Sequence, residues 1–286
     1  MKKLLIAAFG LSFTLSAATH SEMLVSTAWL AEHLNDPKLV ILQVSANRIA
    51  YDAGHIPGAR FIPLSDLVVT RNGVPNELPE TPALQKVLEA AGVADDSHVV
   101  LYGDTSVLPA TRAYFTLDYL GHGGHASLLD GGLGKWNAEK RTVTKDLPSV
   151  APGRLTPHVQ PGTLMQFEQV SELSRQSGTP QSAVLLDVRS AADFSGEKGS
   201  HIPNSINANW VDNQLSPQDQ TLKPEAELRK IYDGLGIKPN VSVVTYCNSG
   251  MQASESYFTL KYLGYDVKLY DGSMSEWTLK GAPVAK

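Results

Sequence analysis

The chain contains one internal repeat, and this repeat constrains the fold more than any other feature of the sequence. From Leu24 onward, four segments recur in the same order at a spacing of roughly 140–146 residues. The matched segments are 54–59 with 200–205, 88–93 with 232–237, 114–121 with 257–264, and 129–132 with 270–273. Because one unit is repeated, the two halves of the chain are expected to adopt the same fold.

Each copy alternates helical spacing with short, continuously apolar segments. In the second copy, this pattern predicts helices over 165–177, 224–234 and 251–263, and strands over 183–188, 241–246 and 267–270. In the first copy, 25–34, 82–91 and 110–120 take the helical roles, and 40–44 and 98–102 take the strand roles. Strands this apolar are covered on both faces, so each copy is predicted to be an α/β domain in which helices flank a parallel sheet.

The repeat and the composition together predict the domain boundaries. We expect one domain over 23–142 and a second over 161–286. The linker over 143–160 contains Pro148, Pro152 and Pro157 and has little periodicity, which is typical of a connecting segment. A chain of 286 residues is long enough for two domains of ordinary size.

The first 20 residues are predicted to be a secretory signal peptide rather than part of either domain. Lys2 and Lys3 precede an apolar run over 4–15, and small residues follow at 16–18. The run is too short to span a membrane, although an uncleaved anchor helix is the alternative. We therefore expect a periplasmic protein that is not attached to a membrane after cleavage. The formal net charge of −5 gives no indication of a nucleic-acid partner, and the oligomeric state stays open.

Cys247 is the only cysteine in the chain, and it stands where a predicted strand ends and a predicted helix begins. A lone cysteine is more often a small buried hydrophobe than a nucleophile. Loops at the carboxyl ends of parallel strands, however, are where α/β proteins place their chemistry. The backbone amides of residues 248–253 and the following helix would favour an anion, so we predict a nucleophilic thiol whose pKa is lowered.

Four motifs of the second copy resemble those of the rhodanese family of sulfurtransferases. They are the Cys-Asn-Ser-Gly-Met-Gln-Ala loop at 247–253, Leu-Asp-Val-Arg at 186–189, His-Ile-Pro at 201–203 and Tyr-Asp-Gly-Ser at 270–273. The resemblance covers nearly the whole chain after the signal peptide and implies two tandem rhodanese-like domains. It also implies that the first copy is inactive, because Gly103, Gln43 and Ser45 stand where the second copy has Cys247, Asp187 and Arg189.

The resemblance implies a reaction and a set of site residues. Cys247 would take a sulfur atom from a small anionic donor, thiosulfate or 3-mercaptopyruvate, and pass it as a persulfide to cyanide or a thiol. No cofactor and no metal are expected. Asp187 would support the catalytic loop. The residues expected to bind substrate are Asn248, Ser249, Gly250, Met251, Gln252, Ala253 and Arg189.

Two departures from the family pattern leave the donor open. The loop carries Asn248 and Ser249, whereas thiosulfate-using members often have basic residues there. Asp193 stands where two-domain members usually have an arginine. A non-catalytic sulfur-binding or persulfide-relay module is therefore an alternative. A Cdc25-like phosphatase is a remote one, because the segment 247–256 contains no arginine to hold a phosphate.

Several residues that recur in both copies are given structural roles. His55 and His201 lie in equivalent turns, and Trp136 and Trp277 are expected to pack in the cores. Asp130 and Asp271, each followed by glycine, are expected to form turns.

Overall fold

The computed structural model describes residues 18–176, 183–197 and 199–286. Most of the predicted signal peptide, and the last residue of the helix predicted over 165–177, lie outside these residues. Within the described residues, no helix is long and apolar enough to cross a membrane.

The first domain has a parallel sheet of five strands in the order β1-β7-β6-β2-β3. Its strands are β1 (Leu24–Val25), β2 (Leu39–Ser45), β3 (Arg60–Pro63), β6 (His98–Tyr102) and β7 (Ala126–Leu129). Its helices are α1 (Thr27–His33), α2 (Ile49–Ala53), α3 (Thr81–Ala90), α4 (Leu108–Tyr119) and α5 (Gly132–Ala138). An antiparallel hairpin of β4 (Val69–Arg71) and β5 (Val74–Glu77) leaves the sheet between β3 and α3.

The second domain repeats this plan with a parallel sheet in the order β11-β10-β8-β9. Its strands are β8 (Ala183–Asp187), β9 (Ile206–Asn207), β10 (Ser242–Tyr246) and β11 (Val267–Leu269). Its helices are α6 (Phe167–Leu173), α7 (Ala191–Ser195), α8 (Glu225–Gly234), α9 (Met251–Tyr262) and α10 (Ser273–Leu279). The predicted α/β class, with parallel sheets flanked by helices in both halves, is confirmed.

Two of the predicted helices are shorter than expected. The helix predicted over 25–34 starts at Thr27, because Leu24 and Val25 instead pair with β7. In the second copy, Leu164 bridges Leu269, so the chain is still extended where a helix was predicted to start. A capping box at Gln166 then starts α6.

Helices α4 and α9 pack against each other and join the two domains. Equivalent residues of the repeat meet across this interface: Thr111 shares a hydrogen bond of 3.0 Å with Ser254. Asp118 forms an ion pair with Lys261. The aromatic rings cross over, Tyr114 against Phe258 and Phe115 against Tyr257, with centroids 4.8 and 5.0 Å apart. These exchanged contacts are those of an approximate two-fold axis between the domains.

The largest apolar core runs through this interface and includes side chains from both domains. Trp136 and Trp277 are buried in smaller cores on the outer faces of their sheets, as predicted. His55 stacks on Tyr51 and His201 on Phe194, so both histidines have structural contacts.

Candidate active site

Cys247 lies directly after β10 and is 1% exposed. The chain turns at Gly250, which has a φ of 79° and caps α9. A Cβ atom at this position would lie 2.5 Å from Oδ1 of Asp271, so both the backbone angle and the space require glycine. The cysteine is therefore held in a short, fixed loop at the carboxyl end of a parallel strand, as predicted.

Four backbone amides converge on the sulfur atom of Cys247. They belong to Ser249, Gly250, Gln252 and Ala253. A concave set of N–H groups of this kind stabilises an anion, here a thiolate or a persulfide. The sequence predicted the run of residues 248–253 as the cradle, and these four amides all belong to it.

The predicted lowering of the Cys247 pKa is wrong for the thiol in this structure. Burial raises the pKa of the thiol, because the thiolate would lose its contact with water. The four amides act in the opposite direction and do not outweigh burial. The sequence indicated the amides, but it could not indicate how completely the thiol is buried.

Ser273 anchors the Cys247 loop, a role that the sequence analysis did not predict. Its Oγ atom accepts hydrogen bonds from the backbone amides of Cys247 at 3.1 Å and Gly250 at 3.2 Å. It also donates to the carbonyl of Tyr270 at 2.9 Å. One buried hydroxyl therefore fixes two points of the loop, Cys247 itself and the turn at Gly250.

Arg189 lies near the loop but is largely committed to Asp187. Its Nε and Nη2 atoms donate to the Asp187 carboxylate at 2.6–3.1 Å, and both side chains are buried. The remaining Nη1 atom lies 3.4 Å from Oδ1 of Asn248. Asp187 thus supports the loop through Arg189, and only one edge of the guanidinium faces the region of the expected donor.

Asp193, at the position of the usual arginine, is bonded to Ser190 at the start of α7. Its carboxylate accepts a hydrogen bond of 2.7 Å from Oγ of Ser190, and its amide donates to the same hydroxyl. Asp193 therefore helps to start α7, which explains the acidic residue at this position.

The first domain contributes residues to the site that the sequence analysis did not identify. From the hairpin, Asn76 donates from Nδ2 to Oγ of Ser249 at 2.9 Å. From α4, Arg112 makes two hydrogen bonds of 2.5 and 3.0 Å to the carboxylate of Asp271. The backbone amide of Leu78 donates to the same carboxylate at 3.0 Å. The Cys247 loop is therefore covered by the other domain.

Asp271 and its equivalent, Asp130, form hydrogen bonds that join the two domains, in addition to their place in turns. Asp130 accepts a hydrogen bond of 3.0 Å from the backbone amide of Leu222, in the second domain. Leu222 is the repeat equivalent of Leu78, so the same tie occurs on both sides of the two-fold axis. Asp130 also pairs with the nearby Lys135, so these aspartates combine a place in a turn with a contact to the other domain.

In the first copy, the loop equivalent to the Cys247 loop is closed by its own backbone. A Cβ atom on Gly103 would lie 1.8 Å from the carbonyl oxygen of Ser106. This carbonyl occupies the space in which a cysteine side chain would begin. The loss of the nucleophile is therefore accompanied by a changed loop, which supports the prediction of an inactive first copy.

A shallow cavity of about 640 Å³ opens beside the Cys247 loop. It is bordered by Gly73 and Pro75 of the hairpin, by Arg189 and Asn248, and by Leu279 of α10. Leu279 is 61% exposed, so the rim is apolar on one side. The cavity places the site between the domains.

Comparisons with known proteins agree with the repeat. The family model described as rhodanese-like domain matches residues 26–139 and 169–280. A "sulfur carrier protein" of Thermus thermophilus is 37% identical over 93% of this chain and 98% of its own. A "thiosulfate sulfurtransferase" of Corynebacterium glutamicum is 33% identical over 90% of this chain and 88% of its own. The structure of SseA from Escherichia coli, a 3-mercaptopyruvate sulfotransferase, superposes with a TM-score of 0.75 at 27% identity, covering 88% of this chain and 98% of SseA.

Proposed function

The chain belongs to the rhodanese family and is a tandem-domain sulfurtransferase, and we propose that Cys247 carries the sulfur atom that it transfers. The observation that carries this proposal is the convergence of four backbone amides on a buried thiol. A persulfide bears its negative charge on the outer sulfur and needs a fixed set of donors in a site without water.

In the first half-reaction, the Cys247 thiolate attacks the outer sulfur of the donor. With thiosulfate, a new S–S bond forms to Cys247, the donor's own S–S bond breaks and sulfite leaves. With 3-mercaptopyruvate, the C–S bond breaks and its electron pair, with a proton, forms pyruvate. Both routes leave the same persulfide on the enzyme.

In the second half-reaction, the acceptor attacks the outer sulfur of the persulfide. Cyanide would leave as thiocyanate, and a thiol would leave as a new persulfide, while the Cys247 thiolate is restored. Because the two substrates react in turn with one residue, the kinetics should be ping-pong.

The structure offers little positive charge to a compact dianion. Asn248 and Ser249 are neutral, and Arg189 already holds Asp187. We therefore expect 3-mercaptopyruvate, with a single carboxylate, to be at least as good a donor as thiosulfate. A direct comparison of kcat/KM for the two donors, repeated with Asn248→Arg, tests this account. The added arginine should favour thiosulfate, and an unchanged ratio would refute the role given to loop charge.

Relay of sulfur to a protein acceptor is a second candidate function. The shallow cavity beside Cys247 is bordered by the exposed Leu279, and an apolar rim of this kind suits a macromolecular surface. The Thermus thermophilus relative, named a sulfur carrier protein, supports the same possibility. A relay protein would load sulfur normally but turn over slowly with cyanide.

The decisive experiment is to load the full chain with each donor and weigh it by mass spectrometry. The protein should gain the mass of one sulfur atom and release it as thiocyanate on addition of cyanide. Cys247→Ser should gain nothing, and Ser249→Ala, which keeps every amide, should still be loaded. Absence of loading with both donors, or loading of the serine variant, would contradict the proposal.

Export to the periplasm is also part of the proposal. It is supported by Lys2, Lys3, the apolar run over 4–15 and the small residues over 16–18. Expression of the full chain in a Gram-negative host should give a shortened protein in the periplasmic fraction. Sequencing of its N-terminus should find a start close to residue 20, and an intact chain in the cytoplasm would refute export.

A further inference from the structure

A second cavity, of about 660 Å³, lies along β3, the edge strand of the first sheet. It shares no lining residue with the cavity beside Cys247. Its walls come from β3, from α2 and α3, and from Leu147, Pro148 and Val150 of the linker. A concave site of this size, with apolar walls and a few charged groups, has the general form of a small-molecule site.

The charges around this cavity are mostly positive although the chain is acidic overall. Arg48, Arg60 and Lys86 line it, and Asp66 is the one acidic residue among its described lining residues. Arg48 is paired with Asp52 at 3.2 Å, so Arg60 and Lys86 supply the uncompensated positive charge. The chain as a whole has a formal net charge of −5. The cavity therefore concentrates positive charge where the average surface does not, which favours an anion.

Arg60 lacks the partners that a partly buried guanidinium normally has. Its Nη1 atom donates to the carbonyl of Ala91 at 2.5 Å, and its buried Nε atom has no hydrogen-bond partner in the described part of the chain. Among the described residues, neither Arg60 nor Lys86 forms an ion pair. Burial lowers the pKa of Arg60, since nothing offsets the loss of water. A charge in this position is costly unless an anion compensates it.

The remaining walls are aromatic and aliphatic. The guanidinium carbon of Arg48 lies 4.9 Å from the ring centroid of Tyr51 and 5.3 Å from that of Phe61. Leu147 borders the opening and is 67% exposed. The site thus offers positive charge and apolar surface side by side, which fits a ligand with one anionic end and an apolar body.

The second domain does not repeat this charge pattern. Arg60 pairs with Leu42 in the sheet, and the equivalent pair in the second domain is Ile206 with Leu186. The lysine of α3 does recur, because Lys230 of α8 is the repeat equivalent of Lys86. Lys230 therefore serves as a matched control: it has the same helix position without the arginine beside it.

We propose that the cavity along β3 binds a small organic anion, a carboxylate carried on an apolar body. The carboxylate lies against Arg60 and Lys86, and the apolar body lies along Phe61 and the linker residue Leu147. This site is separate from the sulfur chemistry and does not depend on Cys247.

Three probes that differ in one property each test the proposal on the full chain. Octanoate has both the charge and the apolar body, octylammonium has the same body with the opposite charge, and acetate has the charge alone. Isothermal titration calorimetry should show saturable binding of octanoate. Octylammonium and acetate should each bind at least about tenfold more weakly, as expected for the loss of one charge-assisted contact or of the buried alkyl chain.

Variants at two exposed lysines then locate the site. Lys86→Glu should weaken octanoate binding by about tenfold or more, and Lys230→Glu should leave it unchanged. Equal binding of octylammonium would overturn the proposal, because it would indicate an apolar surface alone. No binding of octanoate, or the same loss with both lysine variants, would also overturn it.

Discussion

Removal of the Arg112 guanidinium should destabilise the protein more than any loss of an exposed ion pair. Arg112 is fully buried, and its partner Asp271 has a side chain only 11% exposed. Arg112→Met keeps most of the side-chain volume but leaves the Asp271 carboxylate buried with the Leu78 amide as its remaining neighbour. Breaking a buried pair from one side costs about 3–5 kcal/mol, a large part of a typical stability of about 5–15 kcal/mol.

The repeat supplies the control for this measurement. In the first domain, Lys135 pairs with Asp130 at 2.9 Å, but these side chains are 31% and 17% exposed. Lys135→Met should therefore cost no more than about 1 kcal/mol. Urea unfolding followed by circular dichroism gives both free energies. Adding Asp271→Asn to Arg112→Met should recover part of the loss, because it removes the unpaired charge. A double variant less stable than Arg112→Met would refute the electrostatic reasoning.

The inactive loop, the hairpin and a buried carboxyl group each give one further prediction. Gly103→Cys should not gain sulfur from either donor, because the Ser106 carbonyl occupies the place of the new side chain; mass spectrometry of this variant combined with a cysteine-free second domain checks this. Asn76→Ala should lower kcat/KM for sulfur transfer several-fold, whereas Gln220→Ala, its equivalent facing the inactive loop, should not; equal effects would contradict the role of the hairpin. Burial raises the pKa of Glu255 to about 7. A raised pKa in the folded state gives stability that is present below the unfolded value of about 4.3 and lost as pH rises through about 7. Glu255→Gln should therefore remove a pH-dependent term of about 4 kcal/mol from the free energy of unfolding measured in urea over this range.

The sequence was sufficient for the elements that have strong apolar patterns. Strand β6 was predicted with its observed ends, and α9 to within one residue. Two of the elements that were not predicted have weak local signals: β9 has two residues, and all three residues of the hairpin strand β4 are exposed. Their backbones are held by partners elsewhere in the chain, so no local pattern of apolar residues marks them.

The same distinction explains what the sequence revealed of the candidate site. The cysteine, its turn glycine and the amides that follow are adjacent in sequence, and their arrangement follows from a strand that runs into a helix. The contacts from the first domain join residues far apart, Asn76 to Ser249 and Arg112 to Asp271. No spacing rule predicts such pairs. The repeat does constrain them, however, because two copies that meet about a two-fold axis must each present the same loop to the other. A cross-domain contact made by the backbone therefore has a counterpart in the repeat, as Leu222 on Asp130 corresponds to Leu78 on Asp271. A contact made by a side chain recurs only where the residue recurs, and Arg112 has Glu255 as its equivalent.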